Sequence, residues 1–148
     1  MRVRCLSNRR ADLTTPWPPT FGIGAPPDLQ TDLEPGKEYV VFGLWWVEGV
    51  PAYVLAGEHY SRYPKPYPAE LFAVTDSRPS VHWRVGHWSW PASARCAIRS
   101  EVFIGPEAWV ADPGWYELVV DGEPSAQRVW GQYKRLVEEE SGSAGVGQ

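Results

Sequence analysis

Histidine is the side chain best suited to acid–base and metal chemistry near neutral pH, and this chain has three, His59, His82 and His87. His82 and His87 are five positions apart, so an unbroken strand would direct them to opposite faces. The sequence contains neither a pair of closely spaced cysteines nor an HExxH motif, which are the spacings typical of zinc sites. The histidines therefore predict no metal site and no cofactor.

Nucleophiles are equally weak candidates. Cys5 and Cys96 are 91 positions apart; one long-range disulfide is compatible with this spacing, but cysteine's preference for interiors favours two buried thiols. Cys96 lies in a predicted strand with Ile98, which is typical of a core thiol. The glycine-rich segment 22–26 lacks the Lys-Ser/Thr of a phosphate-binding loop, and proline follows it rather than a helix. The sequence predicts no catalytic residue.

Three acidic residues leave an enzymatic alternative open. Glu48, Glu58 and Glu70 would form a carboxylate group if a central hairpin and the loop after it fold together. A pair of such acids performs acid–base catalysis in glycosidases. Because acids at turns are usually solvated, the pattern favours solvated charge and keeps a small enzyme with an unfamiliar site as an alternative.

Aromatic side chains in proline-rich loops give the strongest indication of function. They are Tyr60, Tyr63, Tyr67, Trp88 and Trp90. Tyr and Trp are favoured at protein interfaces because they bury a large area and keep a polar group. Capping the ends of a barrel is the competing role for each of them. As a group, they predict a surface that binds another protein.

The element that must position these loops is a hairpin over residues 38–56, with its turn at Glu48-Gly49, where glycine can supply a positive φ. Successive side chains of a strand point to opposite faces. In the first arm, one face carries Tyr39, Val41, Trp45 and Val47, and the other carries Val40, Phe42, Leu44 and Trp46. Both faces are apolar, which predicts a central strand covered by protein on both sides.

Shorter elements surround this hairpin. Strands are predicted at 2–6, 70–75, 81–85 and 95–99, and helices at 113–120 and 124–139. The strand at 2–6 is expected at an edge, with Val3 and Cys5 inward. In the strand at 81–85, alternation directs Val81, Trp83 and Val85 inward. The second helix is expected to bury Val129, Tyr133, Leu136 and Val137, with Trp130 at the edge of that stripe. The proline-rich loop 7–36 is expected to lie across the sheet through Trp17, Phe21 and Ile23.

Composition sets the class of protein. The 148 residues are 43% hydrophobic and carry a formal net charge of −4, which excludes a disordered chain and a general attraction to nucleic acid. We expect one domain over 1–140 and a flexible tail over 141–148. No apolar run reaches the length of a signal peptide or a membrane span, so we expect a cytoplasmic protein without a membrane partner.

These elements predict an α+β, mainly β fold: a small antiparallel sheet or SH3-like barrel of about five strands, followed by two C-terminal helices. The segments LEPGKEYVVFGL, AYVLAGE, YPKPYPAELFAVTDSRPSVHW and DPGWYELVVDGEPSAQRVWGQYKRLVE resemble small bacterial β-rich proteins that serve as immunity partners of polymorphic toxins. This resemblance covers about two-thirds of the chain. It implies a non-enzymatic protein that binds and neutralises a toxin, and it carries no catalytic motif.

The expected partner is a basic toxin domain, because complementary charge speeds encounter. The residues expected at its surface are Glu48, Glu58, Tyr60, Tyr63, Trp88 and Trp90. One alternative is a small nucleic-acid-binding barrel that uses the aromatics for stacking and contacts phosphates through Arg62, Arg78, Arg84, Arg95 and Arg99.

Overall fold

The structure, a computed structural model, describes residues 1–15, 31–47, 49–56, 62–90 and 99–143, without the side chains of 90, 99 and 100. The strands are β1 (Arg2–Cys5), β2 (Glu38–Val40), β3 (Gly43–Val47), β4 (Val50–Leu55), β5 (Lys65–Pro68), β6 (Phe72–Asp76), β7 (Arg84–Trp90) and β8 (Arg99–Gly105). The α-helices are α1 (Glu107–Ala111), α2 (Trp115–Val120) and α3 (Pro124–Ser143). Short 3-10 turns occupy Arg10–Asp12 and Ala69–Leu71. No helix within these ranges combines the length and apolar character needed to cross a lipid bilayer.

The strands form two antiparallel sheets. The small sheet has the order β2-β1-β6, and the large sheet has the order β5-β4-β3-β8-β7. This architecture confirms the predicted α+β, mainly β class. The described residues contain eight strands and three helices, more than the about five strands and two helices expected. The predicted central arm is split between the sheets, and β5 and α1 were not predicted as elements.

The split occurs at Val41 and Phe42, which lie between β2 in the small sheet and β3 in the large sheet. The Phe42 N–H donates to the Val54 carbonyl at 2.8 Å, and the Val41 N–H donates to the Met1 carbonyl at 3.1 Å. Val41 and Phe42 are both almost fully buried, in different hydrophobic clusters. The arm is apolar on both faces because it passes from one core to the other. The predicted cover on both sides is incomplete, since Trp46 on β3 is 38% exposed.

The two cores lie on opposite faces of the large sheet. One face packs against the helices, through a cluster that includes Phe103, Trp109 and Trp130. The other face is covered by the small sheet only near β4 and β5, through a cluster that includes Val3 and Leu55. Leu44 on β3 and Tyr53 on β4 still pack against this cluster. Beyond them, at Trp46 and over β8 and β7, this second face is left without a covering layer among the described residues.

Gly43 opens β3 where the chain enters the large sheet, and it has no room for a side chain. A Cβ at this position would lie 2.6 Å from the Ile104 carbonyl oxygen on the neighbouring strand. We expect Gly43→Ala to lower the free energy of unfolding by about 1–3 kcal/mol, because the backbones must separate.

The matched control is Gly131→Ala on α3, where an added Cβ meets nothing within 4 Å. Alanine favours a helix over glycine, so this change should raise stability by about 0.5–1 kcal/mol. Urea unfolding of both variants measures the difference. Equal effects of the two substitutions would show that the sheet junction is not closely packed.

Several predicted strands need correction. β1 is the central strand of the small sheet, not an edge, although Val3 and Cys5 do point inward. The predicted strand at 81–85 is wrong: residues 81 and 82 form a turn, and β7 begins at Arg84. Val81 and Val85 are each 72% exposed. Alternation alone could not identify the buried face, because the sheet face that carries Val85 has no covering layer.

The helices also differ from the prediction. α1 was not predicted, and α2 begins at Trp115 after an Asx turn in which the Gly114 N–H donates to Asp112 Oδ1 at 2.9 Å. α3 begins at Pro124 as expected but continues to Ser143, so residues 141–143 are helical and Ser141 is buried. Residues 144–148 of the expected tail lie outside the described part.

The buried stripe of α3 is displaced from the predicted one. Its members are Ala126, Trp130, Tyr133, Val137 and Ser141. Trp130 is 2% exposed at the centre of the stripe, whereas Val129 and Leu136 are 41% and 39% exposed. The Tyr133 hydroxyl donates to the Phe42 carbonyl and fixes the rotation of the helix against the sheet.

Cys5 carries a free, buried thiol whose pKa is raised by burial. Its Sγ donates to the Ser7 carbonyl at 3.3 Å. Residues 95–98 of the strand predicted at 95–99, with Cys96, lie outside the described residues, and Arg99 begins β8. The covering residues Trp17, Phe21 and Ile23 and the loop histidine His59 also lie outside the described part.

Candidate functional site

The structure places few of the expected partner-binding residues on one surface. Glu48, Glu58 and Tyr60 lie outside the described residues, and for Trp90 only the backbone, at the end of β7, is described. Tyr63 is half-buried and packs against the helical core, with Lys65 Nζ 5.9 Å from its ring centroid.

Trp88, which was expected in an aromatic loop at the partner surface, lies in a strand and is buried. It lies in the middle of β7, is 5% exposed and stacks on Phe103 with ring centroids 4.6 Å apart. Its Nε1–H donates to the Val110 carbonyl at 3.1 Å. The indole is therefore fully engaged in the core between the sheet and α1.

Strand pairing also separates the expected residues. Leu55 pairs with Lys65 at the end of the sheet where β3 begins. Val47 pairs with Val50 at the opposite end, next to Gly49, whose φ is +82° as the predicted turn requires. Tyr63, two residues before Lys65, and Gly49 therefore lie at different ends of the large sheet.

An uncovered apolar face of the large sheet is the surface that the sequence analysis missed. Besides Leu55, Tyr67 and Lys65 on β4 and β5 and Ser89 on β7, cross-strand pairs place eight side chains on this face: Leu44, Trp46, Pro51, Tyr53, Val85, His87, Val102 and Ile104. We call these eight residues the bare sheet face. Val85 is 72% exposed, Val102 is 42% exposed and Trp46 is 38% exposed. No Asp, Glu, Lys or Arg belongs to this set.

An apolar pocket of about 170 Å³ lies at one end of the bare sheet face. Its walls include Met1, Leu44, Trp46, Pro51, Tyr53 and Ala69. Ala69 comes from the 3-10 turn between β5 and β6. Glu70, in the same turn, accepts hydrogen bonds from the backbone N–H and the hydroxyl of Thr14, which holds the turn against the segment after β1. The pocket thus lies where the small sheet ends and the bare sheet face begins.

A larger and more polar cleft, of about 350 Å³, lies between the end of β6 and the end of α3. Asp76 accepts hydrogen bonds from Arg78 Nε at 2.9 Å and Nη2 at 2.8 Å. The hydrogen bonds from Arg78 hold the pKa of Asp76 well below its usual range. The Asp76–Arg78 pair is therefore charged at neutral pH and held together.

Glu140, on the opposite side of this cleft, is similarly engaged. It accepts hydrogen bonds from Ser80 Oγ at 2.6 Å and from the Val81 N–H at 3.0 Å. Desolvation raises the pKa of Glu140, but these hydrogen bonds outweigh it, and the net pKa lies below the usual value. A general acid needs a pKa near the working pH, so this cleft does not strengthen the enzymatic alternative.

Two of the five arginines considered for nucleic-acid binding are engaged within the protein. Arg78 is held by Asp76, and Arg84 Nη1 donates to the carbonyls of Val81 and Trp83 at 3.2 and 3.0 Å. Arg62 is exposed. Arg95 and the side chain of Arg99 lie outside the described part. In that part of the chain, no three His, Cys, Asp or Glu side chains converge to hold a metal ion.

The signal for the bare sheet face is present in the sequence but ambiguous. Leu44 and Trp46 alternate with Trp45 and Val47, and an apolar side of a strand normally indicates burial. Which side is covered depends on where the small sheet ends, and no local pattern encodes that. Comparisons with protein-family models, curated proteins and solved structures found no match to this chain.

Proposed function

We propose that this protein is a non-enzymatic protein-binding domain, an immunity protein that binds a toxin through the bare sheet face and neutralises it. The observation that carries the proposal is the exposure of Trp46, Val85 and Val102 on a sheet surface without charged side chains. Contiguous apolar surface on a folded protein is typical of a protein interaction site.

The composition of the face matches the centre of a protein interface. Such centres are depleted in charge and enriched in aromatic residues, and Trp is the residue most often found to dominate binding energy. Trp46 supplies such a residue, and Val102 and Val85 extend the flat surface across β8 and β7.

The charge distribution supports a basic partner. Residues 107–143 carry eight acidic and three basic side chains, a net charge of −5, and the other residues together carry +1. The helical layer therefore holds the negative charge, whereas the bare sheet face is uncharged. Because the helices lie on the opposite side of the large sheet, the net charge of −4 would attract a basic toxin to the protein as a whole, and apolar contacts on the bare sheet face would hold it.

The immunity role is tested in cells. The immunity role predicts a toxin-like domain encoded beside the gene; the protein is co-expressed with that domain, and survival is scored. We expect the wild-type protein to protect and Val102→Lys to lose protection, because the lysine places a charge in the apolar contact.

Val120→Lys on α2 is the matched control, since Val120 and Val102 are both 42% exposed. This variant should protect as well as the wild type. Protection by both lysine variants would remove the bare sheet face as the toxin-binding surface, and failure of the wild type to protect would remove the immunity role.

A further inference from the structure

We propose that the apolar pocket at the end of the bare sheet face is an anchor site that takes one uncharged side chain of the protein partner, a phenylalanine or leucine. This inference rests on the proposed function, because the anchor side chain belongs to the partner that covers the face. It assigns the kind of residue that the partner must present.

The walls of the pocket define its shape. Trp46 pairs with Pro51 across β3 and β4, and Leu44 pairs with Tyr53, so four side chains line one side in two rows. Ala69 faces them from the 3-10 turn. Because alanine is small, the space opposite the two rows stays open.

The volume fits one side chain. A dry protein cavity of about 150 Å³ accommodates a benzene molecule, and this pocket measures about 170 Å³. A phenylalanine ring or a leucine side chain therefore fills it, whereas a second side chain does not fit. Burying such a side chain removes its apolar surface from water, which favours binding.

The chemistry of the walls disfavours a cationic occupant. Leu44, Trp46, Pro51 and Ala69 carry no ionisable group, and no wall residue among the described ones is a carboxylate; the ionisable groups are the N-terminal amine of Met1 and the phenol of Tyr53. A lysine would lose its hydration there without gaining a counter-charge. The pocket therefore selects against the basic side chains that the acidic helical layer attracts.

The pocket is continuous with the bare sheet face, since Leu44 and Trp46 belong to both. Leu44 pairs with Ile104 on β8, and Ile104 pairs with Val85 on β7. A partner that lies over Val85 and Val102 can thus reach the pocket without crossing a charged residue of this face.

The first test uses single amino-acid probes on the full chain. N-acetyl-phenylalaninamide, N-acetyl-leucinamide and N-acetyl-lysinamide are titrated to tens of millimolar and followed by ¹H–¹⁵N NMR. We expect the phenylalanine and leucine probes to shift the Trp46 indole N–H and the Ala69 and Tyr53 amides saturably, and the lysine probe to leave them unchanged.

Ala69→Leu fills the pocket and should abolish these shifts. Ala73→Leu, at an exposed position on β6, is the matched control and should retain them. Equal shifts with all three probes, no saturable shift, or retention of the shifts in Ala69→Leu would each overturn the anchor site.

The second test separates the anchor from the proposed function. Both leucine variants are assayed for protection against the toxin and for mass by light scattering. We expect Ala69→Leu to weaken toxin binding at least tenfold and Ala73→Leu to behave as wild type. If Val102→Lys loses protection but Ala69→Leu binds the toxin normally, the proposed function is supported and the anchor-site proposal is rejected. A dimer that Ala69→Leu dissociates would assign the pocket to a second copy of the chain and would overturn the partner anchor.

Discussion

Trp109→Ala should lower the free energy of unfolding by about 3–5 kcal/mol, the cost of removing a large buried aromatic side chain. Trp109 is 1% exposed and lies on α1 against the large sheet. Its ring centroid is 4.4 Å from that of Phe103, 5.6 Å from that of Trp45 and 4.7 Å from that of Tyr116. The substitution therefore removes the centre of an aromatic cluster that joins β3, β8, α1 and α2.

The consequence should extend beyond the cavity. α1 has only five residues, and a helix of that length has little stability without tertiary contacts. Loss of Trp109 should thus release α1 from the sheet and expose the carbonyl of Val110 that accepts from Trp88.

Urea unfolding followed by far-ultraviolet circular dichroism measures this effect, since tryptophan fluorescence changes with the substitution itself. Trp46→Ala is the matched control, because Trp46 lies on the bare sheet face and is 38% exposed. It should cost about 1 kcal/mol or less. A loss of under 1 kcal/mol for Trp109→Ala would contradict the aromatic core.

Trp45→Phe should lower the free energy of unfolding by about 1.5–3 kcal/mol, the range for hydrogen bonds to charged groups. Trp45 Nε1–H donates to Glu101 Oε2 at 2.8 Å, and Glu101 is only 5% exposed. Phenylalanine keeps an aromatic ring against Trp88 and Trp109, which contact Trp45 edge-on. The loss therefore reports mainly the buried carboxylate left without its indole donor.

A double-mutant cycle with Glu101→Gln isolates this contact. The uncharged amide has a lower desolvation cost, so in the Trp45→Phe background Glu101→Gln should be less destabilising than in the wild type, or even stabilising. Additive effects of the two substitutions would show that the Trp45–Glu101 hydrogen bond contributes nothing.

The sequence predicts the class of the fold because its strongest patterns are local. The apolar arm at 38–47, the glycine turn at Gly49 and the helix start at Pro124 all occur where they were expected. The two-sheet arrangement was not predictable, because the switch at Val41 and Phe42 depends on long-range pairing. The sequence pattern of β2 and β3 is that of one continuous strand. In the structure β2 pairs with β1 and β3 pairs with β8, in different sheets.

The candidate site was less predictable than the fold. Trp88 was placed in a loop on account of the aromatic and proline residues around it, but its alternation with Gly86 and Trp90 belongs to a strand. α3 shows the same difficulty: Val129 and Trp130 are adjacent, and a small rotation decides which of them is buried. The uncovered side of a sheet depends on the extent of a second sheet, which periodicity does not report.

Isothermal titration of the purified protein with the toxin domain that the immunity role predicts beside its gene tests the central proposal most directly. Wild type and Val120→Lys should bind with the same affinity, and Val102→Lys should bind at least tenfold more weakly, a loss of about 1.4 kcal/mol or more. Binding of Val102→Lys with wild-type affinity would show that the toxin does not lie on the bare sheet face.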